Sequence, residues 1–119
     1  MNIQSGDLVT VAGHGGLWAV IEPLPSFGAD RWRVASGVRR TDAGEAGMSL
    51  IVRPSFAPGQ AVTHRDAPAT VLEDDGGPTV DVHQPRKKTL RGGVTLDPES
   101  GRVAVPRWLL ALENARALT

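Results

Sequence analysis

The segment Gly6-Asp7-Leu8-Val9-Thr10 returns 53 residues later as Gly59-Gln60-Ala61-Val62-Thr63, with glycine, valine and threonine at the same places. The likeness continues downstream with small changes of offset. Val20-Ile21-Glu22 matches Val71-Leu72-Glu73 at 51, and Trp32-Arg33-Val34 matches Val80-Asp81-Val82 at 48. Val52-Arg53-Pro54 corresponds more loosely to Val103-Ala104-Val105-Pro106. The offset changes only where a turn is expected, which is the pattern of a diverged internal duplication. A chain built this way folds as two similar small units, and each is short enough to be marginal alone.

Local chemistry makes both units β-rich. Leu8-Val9-Thr10-Val11 alternates around β-branched residues and predicts a strand with Val9 and Val11 on one face. Ala12-Gly13-His14-Gly15-Gly16 reads as a glycine-rich turn. Leu17–Glu22 is a second strand, ended by Pro23, and Arg31–Ala35 a third. Residues 36–48 lack periodicity and read as a loop. Ser49–Arg53 is a fourth strand, ended by Pro54. The second unit repeats the series through Val71–Glu73 and Val80–Val82. It then departs from the first, with a polar, basic loop from Gln84 to Gly93, a short strand at Gly93–Leu96 and a closing strand at Arg102–Val105. Pro106 suits the first position of a helix, expected to run from Trp108 to about Leu118. The expected fold is all-β: a first small barrel at 1–55, a second at 56–105, and a C-terminal helix at 106–119 packed on the second barrel.

Charge and composition bound the function. Lys+Arg and Asp+Glu are 13 each in 119 residues, so the formal net charge is zero. Coating nucleic acid or an anionic membrane needs an excess of positive charge. The two halves are balanced as well, with five of each sign in 1–60 and eight of each in 61–119. Cysteine is absent, which excludes disulfides, thiol catalysis and thiolate metal sites. No apolar run approaches a membrane span, and the first 20 residues do not resemble a signal peptide. A cytoplasmic rather than a secreted protein is expected.

Catalytic, metal and cofactor sites are not expected. His14, His64 and His83 lack ligand spacing and read as exposed turn residues. Gly13–Gly16 lacks the lysine and hydroxyl of a phosphate loop. Glu73, Asp74 and Asp75 sit beside a hairpin turn, where solvated carboxylates are ordinary, and no nucleophile–base–orienter set is visible. Trp18 and Trp32 lie on neighbouring strands, either as an aromatic platform or as core and rim residues.

The candidate contact residues are therefore charged or apolar surface groups. Arg86, Lys87, Lys88 and Arg91 form the strongest cationic cluster and suit phosphates or an acidic partner. Arg39 and Arg40 form a weaker one. In the terminal helix Trp108, Leu109, Ala111, Leu112 and Ala115 make one apolar arc. Leu110 and Ala117 make a smaller strip, read as a subunit interface.

Gly6-Asp7-Leu8-Val9-Thr10-Val11, followed by Gly13, Gly16 and Trp18-Ala19-Val20-Ile21, resembles the opening of a Src-homology-3-like small barrel of the KOW type. The second unit keeps the shape and loses the acidic residue after its glycine. The resemblance implies a small-barrel fold far more than a function. Two fused barrels with a terminal helix are also similar in size and architecture to head–tail connector, neck and head-completion proteins of tailed bacteriophages. That likeness implies a non-enzymatic virion component, found in the virion or the host cytoplasm. It would act through protein–protein contacts as a homo-oligomer, such as a ring, or beside virion neighbours, with the 86–91 loop near DNA. The KOW likeness implies the alternative of a nucleic-acid- or ribosome-associated module.

Overall fold

A turn held by glycine starts each sheet. In the computed structural model, which describes residues 3–90, 93–97 and 101–119 (86–90 and 93–97 by their backbone), Gly6 has φ +92° and Gly59 φ +86°. Only glycine adopts this region without strain. At Gly6 a Cβ would also fall 2.4 Å from Arg107 Cδ. The two turns close alike. Asp7 N–H donates to the Gln4 carbonyl at 3.1 Å and Asp7 Oδ2 accepts from Gln4 N–H at 2.9 Å. Gln60 N–H donates to the Ala57 carbonyl at 3.0 Å, and Gln60 Oε1 accepts from Ala57 N–H at 3.0 Å.

The first sheet holds β1 (Leu8–Val11), β2 (His14–Pro23), β3 (Arg31–Ser36), β4 (Arg39–Gly44) and β5 (Met48–Val52). All pairings are antiparallel, in the order β4-β3-β2-β1-β5. A 3-10 turn at Glu45–Gly47 carries the chain from β4 to β5. Two expectations change here. Only Ala12 and Gly13 form the first turn, and β2 begins within the glycines at His14. The expected loop at 36–48 contains β4, whose sequence Arg-Arg-Thr-Asp-Ala-Gly hides its nature. It is an edge strand that buries only Ala43, so hydrogen bonds to β3 define it rather than an apolar alternation.

The second sheet holds β6 (Ala61–His64), β7 (Ala67–Glu73), β8 (Thr79–His83) and β11 (Arg102–Pro106), in the order β11-β8-β7-β6. Between β8 and β11 lie β9 (Arg86–Leu90) and β10 (Gly93–Asp97). These two pair only with each other, as a separate two-stranded antiparallel ribbon. The polar loop expected from Gln84 to Gly93 is thus mostly strand. Its run of cations obscured this, because a two-stranded ribbon need not bury an alternating apolar face.

Register repeats between the sheets. Leu8 pairs with Ala19 and Val9 with Trp18, while Ala61 pairs with Thr70 and Val62 with Ala69. Gly6 N–H donates to Val20 O at 2.7 Å, as Gly59 N–H does to Val71 O at 2.8 Å. Val20 pairs with Val34 and Val71 with Val82, and each pair is followed by an irregularity before Glu22 or Glu73. Val9, Val20, Val62 and Val71 are all buried. The correspondence of Val52–Pro54 with Val103–Pro106 does not hold. β5 lies beside β1, whereas β11 lies beside β8, where β4 lies in the first sheet.

The terminal segment is a wedge. α1 (Arg107–Glu113) and α2 (Ala115–Leu118) meet at Asn114, whose φ of −116° leaves the helical region. Leu110 is fully buried among Phe56, Val62, Val71, Val80 and Val105 in the second core. Ala111 is buried against Leu8 and Ala19 of the first sheet, with Trp108, Leu112 and Ala115 packed around that cluster. This overturns the reading of Leu110 as a subunit interface and of the helix as packed on the second unit alone. Successive residues turn by about 100°, so a helix lying between two sheets buries both apolar arcs. Ala117 is exposed. The expected outcome in urea denaturation is a loss of about 2–5 kcal/mol for Leu110→Ala. Ala117→Glu should stay within about 0.5 kcal/mol of the parent chain.

Candidate functional site

Two arginines bring their own carboxylates to the junction of the sheets. Arg53, just after β5, donates from Nε to Asp7 Oδ1 and from Nη2 to Asp7 Oδ2, both at 2.9 Å. Asp7 is buried, because the glycine turn folds its side chain back under Gln4. Arg107 opens α1 and is buried too, with its side chain 6% exposed and that of Asp74 4%. Its Nη1 donates to Asp74 Oδ2 at 2.9 Å and to the Pro54 carbonyl at 3.0 Å, its Nε to the Gly77 carbonyl at 2.8 Å, and its Nη2 to Asp74 Oδ1. Asp74 also accepts from the Phe56 and Gly76 N–H groups, each at 2.9 Å. The hydrogen bonds from Arg107 hold the Asp74 carboxyl down at about 2, against a weaker opposing effect of burial.

Asp74 was expected as a solvated turn carboxylate. The residues around it give no sign of this pairing, because Arg107 is 33 residues away in sequence. A lone arginine at the head of an apolar helix was the available sign of such a partner.

An open cleft of about 460 Å³ lies between the pairs, with Gln4, Ser5, Ser55 and Phe56 among its walls. Each guanidinium there already faces a carboxylate, and Asp75 adds another to the lining, so the cleft is not an anion site. A second clasp closes the other side of the wedge. His64 is 4% exposed, which overturns its reading as an exposed turn residue. Its Nδ1 lies 3.0 Å from Glu113 Oε1, and Glu113 Oε2 accepts from the Arg65 N–H. Gln84 Nε2 donates to the His64 carbonyl at 2.7 Å. His14 is exposed and His83 half-buried. Among the described residues no group of three His, Asp or Glu side chains is placed to hold a metal ion, and no helix is long and apolar enough to cross a membrane.

The remaining candidates are dispersed. Trp18 is buried in the first core and its Nε1 donates to the Gly15 carbonyl at 3.2 Å. Trp32 packs against the same core and donates to Glu45 Oε1 at 2.9 Å, so the pair is core and rim rather than a platform. Arg39 lies over the Trp18 ring at 5.4 Å and Arg40 over Trp108 at 5.0 Å. Both arginines are exposed, and the second contact joins β4 to α1. Arg86, Lys87 and Lys88 sit on β9. Their side chains, and Arg91 altogether, lie outside the described residues.

The buried pair makes stability depend on acid. Asp74 titrates lower in the folded chain than its ordinary 3.8, so its contribution is complete above pH 4 and disappears as pH falls toward 2. The shift corresponds to about 2 kcal/mol. Asp74→Asn should lose stability at neutral pH, by about 3–5 kcal/mol if Arg107 is left uncompensated. It should also show a shallower fall between pH 4 and 2, read by urea denaturation at each pH.

The chain matches no protein-family model, no curated protein and no solved structure.

Proposed function

We infer that this chain is a non-enzymatic assembly protein, a component of a larger particle, and that its closest functional type is a virion protein of a tailed bacteriophage such as a connector, neck or capsid accessory protein. In this reading the two sheets are diverged copies of one Src-homology-3-like unit. The repeated glycine turns, paired registers and matching irregularities in β2 and β7 support that view, as does the 3-10 turn between β4 and β5.

The observation that carries the functional reading is the β9–β10 ribbon. It is paired with neither sheet, and its first strand begins with three consecutive cations. Residues 86–97 contain four basic residues and one acidic residue, so the rest of the neutral chain carries a formal charge of −3. A neutral total thus conceals a cationic arm on an acidic body. A body wedged by its own helix and carrying such an arm suits a part that is positioned beside a polyanion, such as packaged DNA, rather than one that coats it.

The same arm favours a second reading, a KOW-like nucleic-acid module. The two differ in how much of the affinity is electrostatic and where the chain stays. In a titration of duplex DNA at several salt concentrations, the assembly reading expects weak, sequence-indifferent binding. The slope of log K against log salt should be about −3 for three neutralised phosphates. Changing Arg86, Lys87 and Lys88 together to Gln should remove most of that slope. Tight binding that survives high salt would favour the module. No binding at low salt would end the role given to the arm.

A further inference from the structure

Four strand edges bound the two large sheets, and three of them are protected. The β4 edge carries Arg39, Arg40 and Asp42. The β11 edge contains Arg102 and ends in Pro106, which has no N–H to offer. The β6 edge is occupied, because Asn114 donates to and accepts from the Thr63 peptide at 3.0 and 2.8 Å. Among the described residues, Met48 to Leu50 of the β5 edge has none of these devices, and the open stretch ends where the register shifts at Ile51, ahead of Arg53 and Pro54. Met48-Ser49-Leu50-Ile51-Val52 is uncharged and proline-free, and it pairs on one side only, with β1. Leu50 is 40% and Ile51 48% exposed, and Ser49 between Met48 and Leu50 is exposed as well.

The outward hydrogen-bonding groups can be assigned. Ala12 N–H donates to the Gly47 carbonyl at 2.8 Å, and the same register pairs Val11 with Met48, Thr10 with Ser49 and Val9 with Leu50. Backbone groups alternate sides along a strand, so Gly47 and Ser49 face β1 while Met48 and Leu50 face away from it. Such an edge is a template for another strand.

We propose that β5 pairs antiparallel with β5 of a second copy about a two-fold axis, joining two five-stranded sheets into one. An antiparallel strand edge is its own complement under two-fold symmetry. Charge agrees with this arrangement. Glu45 precedes the strand and the Asp7-paired Arg53 follows it, so antiparallel approach sets Glu45 of each copy toward Arg53 of its mate and brings no like charges together. Their internal partners, Trp32 and Asp7, are kept. Leu50 lies on the face of Val9 and the first core, so pairing would extend that core across the axis. The inference does not rest on the ribbon or on what the ribbon touches.

Sedimentation velocity of the full chain over a dilution series tests it, together with amide hydrogen exchange at high and low concentration. The expected result is a dimer that dissociates on dilution, with Met48 and Leu50 amides more protected in the dimer. Leu50→Lys and Ile51→Lys together should abolish the dimer while the monomer keeps a cooperative thermal melt, since an edge lysine is itself a guard against pairing. Val38→Lys, at a position 97% exposed on the β3–β4 turn, should leave the dimer unchanged. A chain that is monomeric at every concentration overturns the proposal. So does a dimer that persists in the Leu50/Ile51 variant, or one whose Met48 and Leu50 amides exchange as fast as in the monomer.

Discussion

The buried guanidinium of Arg107 is the interaction on which the arrangement of the sheets depends. Burying a charge costs several kcal/mol unless its donors are satisfied. Here the donors reach Asp74, Pro54 and Gly77, which come from the β7–β8 turn and the link after β5. The backbone N–H of the same residue reaches Pro78 at 2.8 Å. Its aliphatic stem lies where a side chain at Gly6 would otherwise be. One residue therefore fixes the start of the wedge helix against both sheets. The Asp7–Arg53 pair holds the neighbouring corner by the same logic. Such pairs contribute geometry more than net stability, because a well-packed apolar replacement is often as stable.

With the helix anchored there, the two sheets solve the same problem differently. The first closes its β1 side with a fifth strand, and Thr10 faces Ser49 across that ladder. In the second, the residue matching Thr10 is Thr63, and its peptide is met by the Asn114 side-chain amide. Asparagine carries both a donor and an acceptor, so one side chain at the break between α1 and α2 imitates a strand's peptide. The break in the helix has a structural purpose, because it meets the β6 edge where the first sheet has β5. Assembly through β5 and contact through the β9–β10 ribbon would use different strands of the chain.

Much of this was legible in local chemistry. Glycine-led turns, β-branched alternation and proline stops located β1, β2, β3, β5, β6, β7, β8 and β11, since each is decided by residues within a few positions. The shifts of 53, 51 and 48 residues in sequence reappear as pairings in the two sheets. β4 and β9 carry no such signal, because both begin with consecutive cations and β4 buries only Ala43. Their hydrogen bonds come from a partner strand, and no pattern of their own announces them.

The candidate contacts divide along the same line. The sequence alone determined a small β-rich chain without thiols, its repeated register, the terminal helix with its apolar arcs, and the cationic run at 86–88. Tertiary structure decided where those features lie. Leu110 passed from surface to core because the helix sits between two sheets and has no free apolar side. Asp74 passed from a solvated turn carboxylate to a buried ion because its partner arrives from the far end of the chain. His64 was buried by Glu113, 49 residues away. Local patterns specify what each segment is able to form, but burial and ion pairing are properties of what is brought opposite, and only the assembled fold supplies that.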